Sequence, residues 1–333
     1  MSISAGIYKG ADYLPFRYYA WLKDPRRRMF MVKSERKIVG FESFLLTDGG
    51  ETAVVEGLRV APWMRGQGVA GIIQRFVIDI LHSDHPQVKR VRLTRAEDPP
   101  PSMLRKHKVI HSKALVSIML ASDHLEDAMK TFEARLDNVG QKNNYAVLEP
   151  EEVLKLFDGT KTANDLLPGG MLVQGWLPVT TQRSNLEMLF ERKITWIYTQ
   201  ARNTSVSLVS SEKILSRSAD TYQTINENKV SGGSSTLPSS SAGFLSLGTP
   251  AYPVPYADAT YRFDIDMFGI DPACAKVHAV EQLKLCIQSL PAGSNIICIM
   301  YVEESLRTEL NQFCDGVPSF MLVKEQMVLE RDI

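Results

Sequence analysis

The sequence predicts an α/β (α+β) protein with two tandem domains, each a mixed β-sheet flanked by helices. Three observations carry this. The chain has 333 residues, enough for two domains of roughly 100–200 residues each. Runs rich in β-branched and aromatic residues alternate with stretches of helical periodicity in both halves. A meander of short strands, followed by strand–helix–strand and helix–strand units, needs both antiparallel and parallel neighbours, and therefore mixed sheets.

In the first half, the aromatic segment Ile7 to Leu22 holds Tyr8, Tyr13, Phe16, Tyr18, Tyr19 and Trp21 and predicts a helix that Asp24-Pro25 ends. Three strands follow: Met29 to Val32, Lys37 to Leu46, and, after the turn Thr47-Asp48-Gly49-Gly50, Thr52 to Val60. A Gly-rich turn leads into the periodic helix Val69 to His82 and the β-branched strand Val88 to Thr94. Glu97 to Pro101 reads as a loop, Ser102 to His107 as a short basic helix and Ala114 to Met119 as an apolar strand. Residues 1–122 form the first domain and 123–333 the second.

The second half opens with helices over Leu125 to Leu136 and Glu151 to Phe157, then strands over Met171 to Trp176, Ile194 to Thr199 and Ser205 to Val209. Residues 231–248 are dense in Ser, Gly and Pro, with Ser239, Ser240 and Ser241 in a row. That composition cannot bury a core and predicts a disordered loop. A strand at Tyr261 to Phe268, a helix at Pro272 to Leu290, a strand at Ile296 to Val302, a helix at Ser305 to Phe313 and a last strand at Met327 to Arg331 complete the chain.

Composition excludes several classes of function. With 38 basic and 38 acidic side chains the net charge is zero, so the lysine and arginine excess that phosphate contacts need is missing and no nucleic-acid partner is expected. No run of about 18 apolar residues predicts a membrane span, and the opening MSISAGIYKGADYL has neither the basic nor the apolar part of a signal peptide. Cys274, Cys286, Cys298 and Cys314 contain no CxxC pair and read as buried small hydrophobes in a reducing, cytoplasmic compartment. No metal site is expected from them or from the scattered histidines, among which His107 and His111 fall across the end of a helix.

The informative stretch runs from Glu56 to Ala70, EGLRVAPWMRGQGVA. A strand enters a turn holding Arg65, Gly66, Gln67 and Gly68, and a helix starts at once with Val69 and Ala70. Glycines let a backbone approach a ligand closely. Free N–H groups at the positive end of a helix dipole suit a pyrophosphate. A dinucleotide fingerprint, which needs GxGxxG and an acidic residue about 20 positions later, matches poorly, and the Gly-Lys-Ser/Thr of a P-loop is absent.

Arg65-x-x-Gly68-x-Ala70 fits the (Q/R)xxGx(G/A) motif of the GCN5-related N-acetyltransferases. With Leu58-Arg-Val60-Ala-Pro62 before it and Val88 to Thr94 after it, residues 7 to 120 resemble that family. More narrowly, DYLPFRYYAWL, ESFLLTDGGETAVVEGLRVAP and VRLTR resemble the histidine N-acetyltransferases, which move acetyl from acetyl-CoA to the α-amine of free histidine. The resemblance implies acetyl-CoA as co-substrate. Backbone of Leu58, Arg59 and Val60 would hold its pantetheine arm, and backbone from Arg65 to Ala70 its pyrophosphate. The N–H near Leu58 would polarise the thioester carbonyl.

Attack by an amine needs a base, because the amine is an ammonium at neutral pH. Strand period two places Glu56 on the face of Leu58 and Val60, making it the first base candidate; a solvated strand carboxylate is the plain alternative. Glu42 is the second candidate, or a clamp for the substrate ammonium or imidazole. Many family members protonate the leaving thiolate with a tyrosine that this chain lacks. His107 stands nearest that place, although the basic cluster Arg105, Lys106 and Lys108 also suits CoA phosphate. Core packing explains most of the opening aromatics, yet the resemblance places this region at the acceptor pocket. Tyr13, Tyr19 and Arg17 are therefore substrate-contact candidates, and Arg17 or Arg59 suits a substrate carboxylate.

Two departures from the family stand out. The family's first strand is missing or supplied differently. The second half repeats the element order, but its turn Gly269-Ile-Asp-Pro-Ala-Cys-Ala has lost the anion cradle, and Asp271 would repel phosphate. It reads as a degenerate acetyltransferase-like domain, against an unrelated α/β cap. The function expected is acetylation of free histidine by direct attack in a ternary complex. The alternatives are acetylation of a protein N-terminus or lysine, and a non-catalytic CoA-binding regulatory module.

Overall fold

One mixed sheet gathers strands from both halves of the chain. The computed structural model describes residues 2–4, 6–137, 145–159, 161–200, 243–320 and 323–333. The strand expected at Ser205 to Val209 and residues 231–242 of the Ser/Gly-rich stretch lie outside them. The first half contributes α1 (Leu14–Trp21), β1 (Arg27–Ser34), β2 (Lys37–Thr47), β3 (Thr52–Val60), α2 (Val69–Asp84), β4 (Arg90–Ala96), α3 (Pro101–Leu104) and β5 (Lys108–Leu120). The second half begins with α4 (Leu125–Asp137), β6 (Tyr145–Leu148), α5 (Pro150–Phe157), α6 (Lys161–Leu166), β7 (Met171–Gln174), β8 (Leu177–Thr180), α7 (Arg183–Glu191) and β9 (Thr195–Thr199). It continues through β10 (Phe244–Gly248), β11 (Tyr252–Pro253), β12 (Thr260–Phe268), α8 (Pro272–Ser289), β13 (Asn295–Val302), α9 (Arg307–Phe313) and β14 (Glu325–Asp332).

The strand order is β1-β2-β3-β4-β14-β5-β13-β12-β10-β9-β6, with β11 beside β12 and with β7 and β8 as a separate hairpin. The pairs β3–β4 and β12–β13 are parallel. The boundary expected at residue 122 falls just after β5, but the chain's last strand returns to the first half and lies between β4 and β5. Buried Arg92 on β4 fastens it, bonding Glu330 of β14 at 2.7 Å and Asp48 at 3.0 Å. Asp48 also accepts from Thr180 Oγ1 and Asn185 Nδ2 of the second half, each at 2.7 Å.

Packing follows helical periodicity. Val69, Ile73, Val77 and Leu81 of α2 form a four-residue stripe buried against Phe44, Ala53 and Val91. On the opposite face of the sheet, Tyr13, Leu14 and Trp21 pack on Phe41 of β2 and on Ile297, Ile299 and Tyr301 of β13, so α1 covers the seam between the halves. In the second half α8 packs Ala279, Val280 and Leu283 on Ile265, Met267, Cys298 and Met300. All four cysteines are free and buried. No helix among the described residues is long and apolar enough to cross a membrane.

Two expectations need correction. The segment Ile7 to Leu22 is not one helix. A 3-10 turn, Ile7–Gly10, holds Tyr8 and Lys9 at positive φ (49° and 53°), and α1 begins only at Leu14, with Pro15 in its first turn. A proline there starts a helix but cannot sit inside one. Residues 244–248 are not loop either. Phe244, Leu245 and Leu247 are fully buried in β10, between β9 and β12. The surrounding serines and glycines masked this short apolar run.

Candidate active site

The site begins where two parallel strands part. β3 and β4 are paired only through Thr52–Arg90, Ala53–Val91 and Val54–Arg92. Beyond these, Val55 to Arg59 on one edge and Leu93 to Ala96 on the other line a gap of about 260 Å³. Strand edges that face no neighbour leave backbone groups available to an amide-bearing ligand.

A bulge bends β3 at the same place. Phe41 of β2 faces Arg59 and Ser43 faces Glu56, so one extra residue of β3 is accommodated between them. Gly57 takes up the bulge at φ 77°, and a Cβ there would lie 3.1 Å from Phe41 and 3.2 Å from Trp21. Residues paired across an antiparallel ladder share a face. Glu56 therefore lies on the face of Arg59, not on that of Leu58 and Val60 as plain alternation predicts. It still borders the gap, on the α1 side of the sheet.

On the α2 side, a groove of about 570 Å³ runs from Gly71, Gln74 and Arg75 past Glu42, Val55 and Leu93 to Ser102, Met103, Lys106 and His107. The turn at the head of α2 carries Gly66 and Gly68 at φ 77° and 80°, and nothing lies within 4 Å of a Cβ built on either. Gly68 is the N-cap of α2 and no side chain caps the helix. Its first N–H groups thus face open space at the positive end of the dipole. Arg65 and Gln67 bond the preceding backbone at Val60 O and Trp63 O, which holds the turn. This open, uncapped cradle beside a parted strand pair fits acetyl-CoA.

The corresponding place in the second half differs on both counts. β12 and β13 stay paired over their whole register from Thr260–Asn295 to Asp266–Tyr301. Asp271 caps α8, accepting from Ala273 N at 2.8 Å and Cys274 N at 3.1 Å.

The α1 side of the gap is aromatic. Tyr8 stacks between Tyr13 and Trp176, with ring centroids 6.1 Å and 6.3 Å away. Trp176 comes from the second half, at the tip of the β7–β8 hairpin, whose two-residue turn has Gly175 at φ 61°. Asp266 accepts from Gly175 N at 2.6 Å, Gln326 donates to Gly175 O at 2.6 Å, and Thr94 Oγ1 donates to Trp176 O at 2.7 Å. The hairpin is thus pinned across β12, β14 and β4, which sets Trp176 beside the gap. The expected strand Met171 to Trp176 ran through this turn; a glycine opening a two-residue hairpin turn was the signal for it.

Other predicted residues scatter around these walls. Glu56 Oε2 accepts from Arg27 Nη2 at 2.5 Å, and Arg27 in turn donates to Ser43 Oγ at 2.9 Å and lies 3.9 Å from the Trp21 ring. Glu56 Oε1 has no protein partner among the described residues. Tyr13 walls the gap, and burial raises its phenol pKa well above the usual range. Arg17 lies 5.1 Å over the Tyr252 ring at a small adjoining cavity. Arg59 is spent on the protein itself, paired with buried Asp12 at 2.7 Å between Tyr8 and Tyr13. Tyr19 is corrected: it is 72% exposed against Tyr18 and lines neither gap nor groove, because α1 turns that side to solvent. His107 lines the groove but not the gap; its Nδ1 lies 3.1 Å from Met103 O, and burial lowers its pKa.

Glu42 has the most unusual carboxyl. It is 2% exposed, borders both groove and gap, and its Oε2 has no partner. Burial pushes its pKa from 4.5 up to about 8, so it carries a proton at neutral pH. Between those values the folded state binds more protons than the unfolded one, so this group's contribution to stability falls as pH rises, by up to about 1.4 kcal/mol per pH unit. Glu42→Gln removes that slope. Its thermal stability relative to the native protein should rise progressively from pH 5 to pH 9; parallel profiles would show that Glu42 does not titrate in this range.

Comparison with known proteins agrees with this geometry. The acetyltransferase (GNAT) family model matches residues 5–103, and the histidine N-acetyltransferase C-terminal model matches 141–226 and 234–303. Over its full length the chain is 32% identical to probable N-acetyltransferase 16 of Homo sapiens, covering 82% of it. It is 29% identical to the histidine N-acetyltransferase of Oreochromis niloticus, again over the full chain, covering 90% of that protein. A solved tandem GNAT protein from the clavulanic acid biosynthesis pathway aligns with all of this chain and 92% of its own at TM-score 0.52 and 12% identity, a likeness of fold. The protein is an N-acetyltransferase of the GNAT class, which sets aside a non-catalytic CoA-binding module. Within that class the chain belongs to the family that holds histidine N-acetyltransferase and N-acetyltransferase 16.

Proposed function

We propose that the protein transfers acetyl from acetyl-CoA to the α-amine of free L-histidine. The observation that carries this is the gap itself: about 260 Å³, walled by Tyr8, Tyr13 and Trp176, with Glu56 at its edge. That volume lies below the roughly 300–1,000 Å³ of pockets for drug-sized ligands and suits one amino acid better than a peptide. The aromatic wall offers faces on which an imidazole can stack. The histidine N-acetyltransferases among the relatives support the same acceptor.

Acetyl-CoA supplies the thioester. Backbone of Leu58 to Val60 and of Arg65 to Ala70 holds it, with Lys106 and His107 at the groove. Glu56 passes the ammonium's first proton to solvent and takes the second as the nitrogen attacks the acetyl carbon. The N–H near Leu58 stabilises the charge on the carbonyl oxygen. As the C–S bond breaks, Glu42 gives its proton to the departing thiolate, the role that the missing tyrosine leaves open. Both carboxyls then exchange protons with solvent. The second half holds no acetyl-CoA of its own, consistent with its paired strands and capped helix. It serves as a scaffold that closes the acceptor side. The setting is cytoplasmic amino-acid metabolism, where free thiols such as these cysteines persist.

Incubation with acetyl-CoA and either free histidine or a histidine-led dipeptide tests the acceptor. CoA release with formation of N-acetylhistidine from the free amino acid is expected. Turnover of the dipeptide alone would move the assignment to protein N-termini.

A further inference from the structure

We infer that Arg192, delivered from the second half of the chain, joins Arg17 to form the seat of the acceptor's α-carboxylate. This rests on the amino-acid reading above and assigns its recognition residues.

A cavity of about 30 Å³ adjoins the gap and shares Tyr13, Glu56 and Trp176 with it. Three guanidinium groups line it: Arg17 on α1, Arg27 at the start of β1 and Arg192 just after α7. The lining carboxylates are Glu56 and Asp264, and both are already engaged. Glu56 bonds Arg27. Asp264 accepts from Arg262 Nε at 2.9 Å and from Tyr252 OH at 3.4 Å. Acids nearby on the same elements are taken too, since Arg26 binds Asp24 at 2.9 Å and Glu191 at 2.7 Å.

Two cations remain. Arg192 donates from Nη1 to the neutral Gln174 Oε1 at 3.0 Å, and Arg17 rests on the Tyr252 ring. Neither has a carboxylate partner among the described residues. Burial, and next the charge of Arg17, hold the pKa of Arg192 below the usual arginine range. Neither guanidinium bonds a carboxylate among the described residues, so their mutual repulsion and poor solvation are offset only in part by the nearby charges of Glu56 and Asp24, and a shared carboxylate relieves both costs. The planar fork of arginine matches a carboxylate bidentately.

Size and position narrow the ligand. About 30 Å³ exceeds the roughly 10–15 Å³ that one water needs, which suits a small polar group such as a carboxylate. Glu56 borders both spaces, so a molecule whose carboxylate sits between Arg17 and Arg192 presents its α-amine to the base one carbon away. Its side chain then runs along Tyr8, Tyr13 and Trp176. A free α-amino acid has this arrangement, and an amide or a peptide does not.

The test is the preference for an amino acid over its amide. The native protein should favour histidine over histidine amide by roughly 10²–10³ in kcat/KM, the usual cost of unpairing a buried charge. In Arg192→Gln and in Arg17→Gln that ratio should fall at least tenfold, through KM, with acetyl-CoA affinity by calorimetry retained. Arg192→Lys, which keeps the charge without the fork, should fall between. A ratio that stays at the native value while both rates drop would make Arg192 structural and overturn the inference, as would a native ratio near one. If another amino acid is the better acceptor, the same ratio measured on that acid and its amide still decides the clamp, while the histidine assignment fails separately.

Discussion

Gly68→Asp is expected to abolish acetyl-CoA binding while leaving a folded protein. Gly68 has φ 80° and is the N-cap residue of α2, with nothing within 4 Å of an added Cβ, so the start of the new side chain meets no protein atom. Its cost is that of a left-handed non-glycine residue, about 1–2 kcal/mol, and aspartate is among the residues that tolerate it. The carboxylate would stand at the mouth of the cradle, beside the first N–H groups of α2; in the second half Asp271, with an extended backbone, bonds those of α8 directly. It would fill the cradle with negative charge where a pyrophosphate needs bare donors. The substitution thus brings to the head of α2 the negative charge that Asp271 carries at the head of α8. Calorimetry should find one acetyl-CoA site per native chain and none in the variant. Unchanged affinity would place the cofactor elsewhere.

Glu56→Gln should lower kcat by roughly 10²–10⁴ if Glu56 is the base. The amide oxygen can still accept from Arg27, so the buried guanidinium keeps a partner and the fold is spared the cost of an orphaned charge. Acetyl-CoA affinity should be unchanged, since Glu56 lies on the α1 side of the sheet. A folded variant that turns over at the native rate across pH 6 to 9 would remove Glu56 from the role.

Local signals made much of this legible. The meander of β1 to β3, the stripe of α2 and the glycine turn before it follow from periodicity and turn chemistry within a few residues of one another, and that turn stands uncapped at the head of α2. What failed was mostly non-local. The bulge at Gly57 reverses the face of Glu56, and alternation counted along one strand cannot register an extra residue facing a neighbour. Tyr19 was grouped with Tyr13 because both are aromatic, but a helix only two turns long separates them onto buried and exposed sides. Trp176 and Arg192 lie more than 100 positions from Glu56, and only the placement of the hairpin and α7 brings them to the site. The insertion of β14 between β4 and β5 left no mark in its own residues, which read as a strand and nothing more.

The most direct test of the central claim is kcat/KM for free histidine against phenylalanine, with acetyl-CoA saturating. The two share amine, carboxylate and a flat ring, and differ in the polar ring atoms. A site that hydrogen-bonds those atoms rejects the analogue lacking them by up to about 10⁴–10⁵. Strong preference for histidine is the predicted result; equal values for the two amino acids would contradict it.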